Sequence, residues 1–410
     1  MKKRGWSIRQ PDKLVDSVFP HCFTISGGVN WFNEKLNKTP FNKEGHAVCQ
    51  RCFRHFDTPD KTHLPFFWML LDLTWNMYPR EKVIADNFAF FEECGLNLNK
   101  LQIAYWKGGK VYGKGINLKS DVTKACQGME FKKMQKEGIY IPSDEEAKNA
   151  WKKQGIKNNQ LIACGEIDRV DPSGLDSIVL NARENFSGVR SEPYYKIKNK
   201  KIEIGVFVKE DYFKKTVALK LNLPQKNFED KLNGNKFLLH LNPRPIAGGF
   251  GLERITMVIN NIASVFELEP YKTMKEILTN KIEMDRKKER VVENTIAYIP
   301  VIIWLVNDGA QLLKTRKLRQ RILIYRKTMK NVIQNLKSLN LDKDEIYIGL
   351  FKTTIDFYLH DKDYLCLKGL EEVCLKEIYK QKERIEIDNN EKRKREKKQL
   401  KKLCRNNANS

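Results

Sequence analysis

The sequence predicts an α+β protein, a mainly antiparallel sheet flanked by helices, followed by an all-α module. Three observations lead there. Short apolar and β-branched runs are broken by Gly, Pro and Asn clusters through the first two-thirds of the chain. Helix-period segments of uneven length interleave with those runs, which suits α+β layering. From about Tyr271 the texture changes: Gly and Pro thin out, and apolar residues recur at helical spacing, as in Ile296, Ile299, Ile303, Val306 and Leu313.

Taken in order, the strands are expected at His21–Ile25, Ala47–Phe53, Gln102–Trp106, Leu161–Cys164, Ile202–Val208 and Phe237–Leu241, and helices at Glu81–Cys94, Asp144–Gln154 and Leu252–Val265. The expected division is a catalytic-type domain over residues 1–270, a helical module over 271–385 and a basic, disordered tail over 386–410. The tail reads EKRKREKKQLKKLCR from Glu391 to Arg405, a charge run of the kind that stays solvated.

Composition narrows the partners. The formal net charge is +24, from 75 Lys and Arg against 51 Asp and Glu, and an excess of that size suits a surface that meets a polyanion, nucleic acid first. The apolar run Tyr298–Val306 is far shorter than the ~20 residues a membrane span needs, so it is expected in a core helix. The basic N-terminus leads into no apolar run, and nine irregularly spaced Cys fit a reducing compartment. A cytoplasmic protein with no membrane partner is expected.

Two segments carry chemistry. In IAGGFGLERITMVI, from Ile246 to Ile259, a glycine-rich turn runs into an amphipathic helix with Glu253 and Arg254 in its first turn. Glycines let backbone approach a ligand closely, and a helix N-terminus beside a guanidinium suits phosphate. In CQRCFR, Cys49 to Arg54, Arg51 and Arg54 are three apart, so an extended strand turns them to opposite faces and one of them can meet a sheet-borne ligand. HLPFFWML, His63 to Leu70, reads as the returning strand. Cys49, Cys52 and nearby His55 make a CxxC, but they sit on a strand and no second ligand pair follows, so no zinc and no metal site of the chain's own are expected.

Together these segments resemble the alanyl-tRNA synthetases. CQRCFR is similar to that family's motif 2, HLPFFWML to its returning strand ending Phe-Glu-Met-Leu, and GFGLER to its motif 3. FTISGGVNWF (Phe23–Phe32) resembles FTNAGMNQF, SDEEAKNAWKKQG (Ser143–Gly155) resembles a family helix, and GVRSEPYY (Gly188–Tyr195) resembles GPCSEIFY. The matches keep the family's order over about residues 19–327, with Asn307–Lys327 similar to its tRNA-binding helix.

The resemblance implies a class II synthetase-type fold that activates an amino acid with ATP and Mg²⁺ to an aminoacyl-adenylate and transfers it to tRNA. It implies Arg54 at the α-phosphate and substrate carboxylate and Arg254 at the γ-phosphate, both catalytic through positioning and charge. His63, Phe66, Met69, Gly249, Gly251 and Glu253 complete the implied ATP site. The implied amino-acid pocket is Val29, Val179, Glu203 and Ala247. Here the family's ammonium-binding Asp is Ala247, its pocket Trp is Val179, its Trp-Asn pair is missing at Glu203–Phe207, and the Glu of its returning strand is Trp68. Lys314, Arg316, Lys317, Arg319, Arg321, Arg326 and Lys327 are the implied contacts to the tRNA acceptor stem, although the loop after Asp308-Gly309 lacks the Asn that reads the family's G·U pair. A monomer without the zinc-bearing editing domain is expected. The reading from a different class is a non-catalytic tRNA-binding or regulatory paralogue.

Overall fold

The sheet expected from the sequence forms, and two helices close one of its faces. The computed structural model describes all residues except 18–21, 29, 32–42, 112–138, 166–177, 181–185, 199, 215–227, 230–237, 242–244 and 408–410. Its strands are β1 (Ser7–Ile8), β2 (Glu44–Phe53), β3 (Phe66–Trp75), β4 (Leu101–Trp106), β5 (Gly109–Val111), β6 (Ile139–Ile141), β7 (Leu161–Cys164), β8 (Ile178–Leu180), β9 (Phe186–Ile197), β10 (Lys200–Glu203), β11 (Gly205–Lys214), β12 (Phe228–Glu229), β13 (Leu238–Leu241) and β14 (Pro245–Gly251). The helices are α1 (Arg80–Glu93), α2 (Glu145–Lys153), α3 (Leu252–Ile259), α4 (Tyr271–Thr279), α5 (Arg286–Asn307), α6 (Arg319–Ser338), α7 (Asp344–Leu359) and α8 (Leu370–Asn407).

Among the described residues the main path of the sheet runs β1-β2-β3-β14-β11-β9-β4-β7, with β8 and β10 on β9 and β13 on β11. The central pairings are antiparallel, as expected, while β1 with β2 and β4 with β7 are parallel. The predicted strand over Ile202–Val208 is divided at Ile204 between β10 and β11. The predicted helix from Leu252 stops at Ile259, and Asn261 just beyond takes a left-handed φ of 56°. Of the expected His21–Ile25 strand, His21 lies outside the described residues and the rest is irregular.

The chain divides into two compact units. The first comprises Met1–Phe19, Thr24–Phe56 and Phe67–Val265; the second takes Pro20–Phe23 and Asp57–Phe66 as well as Phe266–Ser410. The second unit thus begins near the expected boundary at 270 and also draws in two short pieces from upstream. Its centre is α5, whose Val292–Val306 stretch is almost wholly buried despite the internal Pro300. Trp304 of α5 meets Tyr358 at 5.4 Å and Tyr364 at 5.7 Å between ring centroids. Asp285 starts α5 by accepting from the Lys287 and Lys288 amides at 2.7 and 2.8 Å. The expected disordered tail is a correction: α8 continues through it to Asn407, where Glu391–Arg395 and Lys392–Glu396 pairs at i,i+4 spacing offset part of its like-charge repulsion. Among the described residues no helix is long and apolar enough to cross a membrane.

In the first unit, alternation fixes which side chains meet the helices. Asp72, Gly248, Phe207 and Ser191 share one face through their pairings, and α1 and α2 cover it. Phe91 of α1 packs edge-on against Phe250 at 5.2 Å, and Trp151 of α2 against Phe207 at 5.1 Å. Asp144 caps α2 through the Ala147 amide, and its carboxylate also holds the buried Arg80 at 2.6 Å. A buried pair of this kind is costly to break on one side only.

Gly248 is forced by the covered face. A Cβ there would stand 2.6 Å from Asp72 Oδ1 and 3.0 Å from Asn87 Nδ2, and these two groups already bond each other at 2.8 Å. At Gly249, on the other face, the nearest atoms to a Cβ would be 3.8 Å away. We therefore expect Gly248→Ala to destabilise the protein by about 1–3 kcal/mol through overpacking, while Gly249→Ala changes stability little. Thermal melts of the two variants check this, and equal melting temperatures would contradict it.

Candidate nucleotide and amino-acid site

Arg54 and the neighbour of Arg254, Glu253, are held on consecutive residues of β3. Arg54 directly follows β2; its guanidinium carbon lies 4.9 Å from the centre of the Phe67 ring, and its Nε donates to the Ile25 carbonyl at 3.0 Å. Arg254 lies in the first turn of α3, directly after β14. Its neighbour Glu253 accepts from the Trp68 amide, with Oε1 at 3.0 Å and Oε2 at 3.2 Å. The family's Glu is replaced by Trp at position 68, yet the backbone there still receives a carboxylate.

Pairing extends the site across the sheet. Met69 stands opposite Gly251, Leu71 opposite Gly249 and Leu73 opposite Ala247; β11 sets Val206 opposite Gly249 and Val208 opposite Ala247; β9 sets Arg190 opposite Val208. Directly opposed residues point to one side, so this row occupies the face that α1 and α2 leave uncovered. Gly27 covers part of it, its amide donating to the Met69 sulfur at 3.4 Å. Met69 itself is buried.

Further along the same face, Glu203 of β10 stands opposite Tyr194 of β9. Arg254 Nη1 donates to the Glu203 carbonyl at 3.1 Å and lies 3.2 Å from its carboxylate Oε2. The buried Glu192 accepts from the Tyr194 hydroxyl at 2.7 Å and meets Arg190 Nε at 2.8 Å. Burial, then the charges of Glu192 and Glu203, push the Tyr194 hydroxyl far up, so it stays protonated and acts as a donor. Sequence reading found the GVRSEPYY segment but singled out none of these three residues; the alternation Arg190, Glu192, Tyr194 was the available signal.

The remaining expected site residues have the following surroundings. His63 and Phe66 belong to the second unit, where His63 Nδ1 sits 3.0 Å from the Asp60 carboxylate and Phe66 is fully buried, stacked 6.5 Å from Trp304. Val29 lies outside the described residues, and only the backbone of Val179, in β8, is described. In the second unit Lys314, Arg316, Arg319, Arg326 and Lys327 are exposed, whereas Arg321 is buried at 4 % exposure and turned away from any solvent-borne ligand; for Lys317 only the backbone is described. Cys49 is half-buried, and burial followed by the Glu253 charge pushes its thiol up to about 11, the opposite of what a thiolate ligand needs. Among the described residues, no group of three or more His, Cys, Asp or Glu could hold a metal ion.

Comparison with known proteins bears out the resemblance drawn from the motifs. The chain is homologous to an alanine–tRNA ligase of Elusimicrobium minutum, 24% identical over 325 residues. That match covers 75% of this chain and 32% of the ligase, so the chain spans about a third of its relative's length. No family model matches. Solved structures with a similar trace include a histidyl-tRNA synthetase of S. aureus, at 10% identity and a TM-score of 0.36, covering 80% of this chain and 82% of that one. An aspartyl-tRNA synthetase of Entamoeba histolytica follows at 12% identity and a TM-score of 0.33, covering 66% and 54%.

Burial pushes the Glu253 carboxyl up to about 7, against the opposing pull of its own and the Trp68 amides and of Arg254. A carboxyl raised on folding binds its proton more tightly in the native state, so its contribution favours the fold below about pH 4.5 and is lost as pH rises towards 7. Glu253→Gln, which cannot ionise, should therefore gain stability relative to the parent between those limits. Denaturant melts across that range test the sign; a difference independent of pH would contradict it.

Proposed function

From this homology we propose that the protein is an ATP-dependent ligase that joins an amino acid to AMP and passes it to tRNA. The observation that carries the reading is that Arg54 and Glu253, the residue before Arg254, are held on neighbouring residues of β3, at Phe67 and Trp68. In the reaction a carboxylate oxygen of the amino acid attacks the α-phosphorus of ATP, and the bond from that phosphorus to the bridging oxygen breaks. Pyrophosphate leaves with the electron pair. Negative charge gathers on the α-phosphate as attack proceeds, and Arg54 offsets it. Arg254 holds the outer phosphates away from the carboxylate. No side chain has to act as nucleophile, so fixed geometry and charge do the chemistry.

Magnesium would arrive with the triphosphate rather than in a site of the protein's own. The Glu253 carboxyl is engaged by the Trp68 amide and the Glu203 carboxylate by Arg254, so the ion would be held mainly by phosphates and water. Adenine has the backbone at Gly249 and Gly251 on the face that α1 and α2 leave uncovered, with Met69 buried beneath Gly27. The amino acid has Ala247, Glu203 and the Arg190–Glu192–Tyr194 group. Because Ala247 offers no charge to an ammonium, the amino acid is alanine only if another carboxylate serves. The exposed Lys314, Arg316, Arg319, Arg326 and Lys327 supply phosphate contacts to the acceptor stem, which hold register without reading sequence.

The non-catalytic alternative draws on one observation, the absence of a carboxylate at Ala247. Exchange of labelled pyrophosphate into ATP, measured with each amino acid in turn, decides between the two readings. We expect exchange with at least one amino acid, reduced roughly 10²–10³-fold by Arg54→Ala or Arg254→Ala; silence with every amino acid would end the enzyme reading. Binding of tRNA should weaken with salt, with a logarithmic slope of roughly −4 if the five exposed cations each meet a phosphate. Affinity unchanged by salt would remove them from the interface.

A further inference from the structure

Arg254, the residue assigned to the outer phosphates, already holds an anion supplied by its own chain. Its Nη1 grips Glu203 at two points, the carbonyl at 3.1 Å and the carboxylate at 3.2 Å. The pair is not sealed: the Arg254 side chain is 19% exposed and that of Glu203 34%. Solvent reaches both charges, so a stronger anion can displace the carboxylate without unfolding anything. A phosphate group offers a guanidinium two parallel charged hydrogen bonds and is such an anion.

The carboxylates on this face differ in exposure. Glu192 is 3% exposed, with one oxygen on Arg190 Nε at 2.8 Å and the other on the Tyr194 hydroxyl at 2.7 Å. Its charge is committed. Glu203 is partly exposed and stands opposite Tyr194 on the same side of the sheet as Ala247, which brings no charge. An amino acid lying on this face with its carboxylate towards Arg54 carries an ammonium that needs an anion, since a charge taken from water must be paired.

We propose that Glu203 is an ammonium-binding site gated by the nucleotide: its carboxylate neutralises Arg254 in the free protein and is released to the substrate's α-ammonium when a triphosphate takes Arg254. The proposal rests on the adenylate-forming reading and adds an order of events to it. Once phosphate occupies Arg254, Glu203 is left beside like charge, and an ammonium relieves that repulsion. Nucleotide and amino acid therefore strengthen each other's binding, and by linkage they do so by the same factor.

Calorimetry with the wild-type protein tests this, using α,β-methylene-ATP, which cannot be cleaved between the α- and β-phosphates. Each of the common amino acids is titrated with and without the analogue, and the variants Glu203→Gln and Glu203→Asp are measured alongside. We expect at least one amino acid to bind about tenfold more tightly in the presence of the analogue. Glu203→Gln should abolish that gain while binding the analogue at least as well as the parent, because the competing carboxylate is gone. Glu203→Asp, which keeps the charge, should retain part of the gain. Equal amino-acid affinity with and without the analogue, or no amino-acid binding at all, overturns the proposal. So does weaker analogue binding in Glu203→Gln, the result expected if Glu203 merely props Arg254. Wild-type protein that binds no analogue ends this proposal together with the adenylate reading, whereas binding without coupling ends this proposal alone.

Discussion

Strand β3 carries, on the adjacent residues Phe67 and Trp68, the contacts from which the rest of the site hangs: a guanidinium over an aromatic ring and a carboxylate on a backbone amide. Phe67 sends its side chain to the Arg54 side, while Trp68 offers Glu253 its main chain. Since the second contact uses the backbone N–H, it does not depend on which side chain other than proline stands at position 68. That explains how a Trp can stand where the related family keeps a Glu without loss of the turn from β14 into α3. Glu253 is also the residue that ties the start of α3 to the sheet, so the direction in which Arg254 leaves the helix depends on it.

The two faces of the sheet divide the labour. The covered face is tightly specified, with Gly248 fitted against the Asp72–Asn87 pair and Phe207 and Phe250 locked by aromatic contacts from α1 and α2. Burial pushes the Asp72 carboxyl up to about 8, against the hydrogen bond from Asn87, so it is largely neutral at pH 7 and adds no unpaired charge to the core. The uncovered face is built from small or aliphatic side chains at Gly249, Ala247, Val206 and Val208, rimmed by charged groups at Arg54, Arg254, Glu203 and Arg190. A flat apolar floor with charge at its margins can receive an adenosine and an amino acid while steering phosphates and carboxylates to the edges.

Much of this was legible in the sequence, and the parts that were not have identifiable causes. Leu161–Cys164 was read with its true bounds because turn-forming residues flank it, and α1 and α2 were read to within a residue. Motif order gave the family resemblance where single motifs were weak. The break at Ile204 was missed because Gly205 sits in an otherwise continuous apolar run. The tail was misread because a charge run says little about helicity when its i,i+4 pairs alternate in sign. Phe66 belongs to the ATP site that the resemblance implies, but it is a buried residue of the second unit, where Trp304 stacks on it. The Arg190–Glu192–Tyr194 group was legible only as an alternation, since pairing with β11 is what reveals the face it shares.

The central claim is that Arg54 and Arg254 hold different phosphates of one nucleotide. Phosphorus NMR of ATP bound to the protein addresses it directly, because each phosphorus gives its own resonance. Arg54→Ala should shift chiefly the α-phosphorus signal and Arg254→Ala chiefly the γ-phosphorus signal. Bound ATP whose three resonances respond to neither substitution would contradict it.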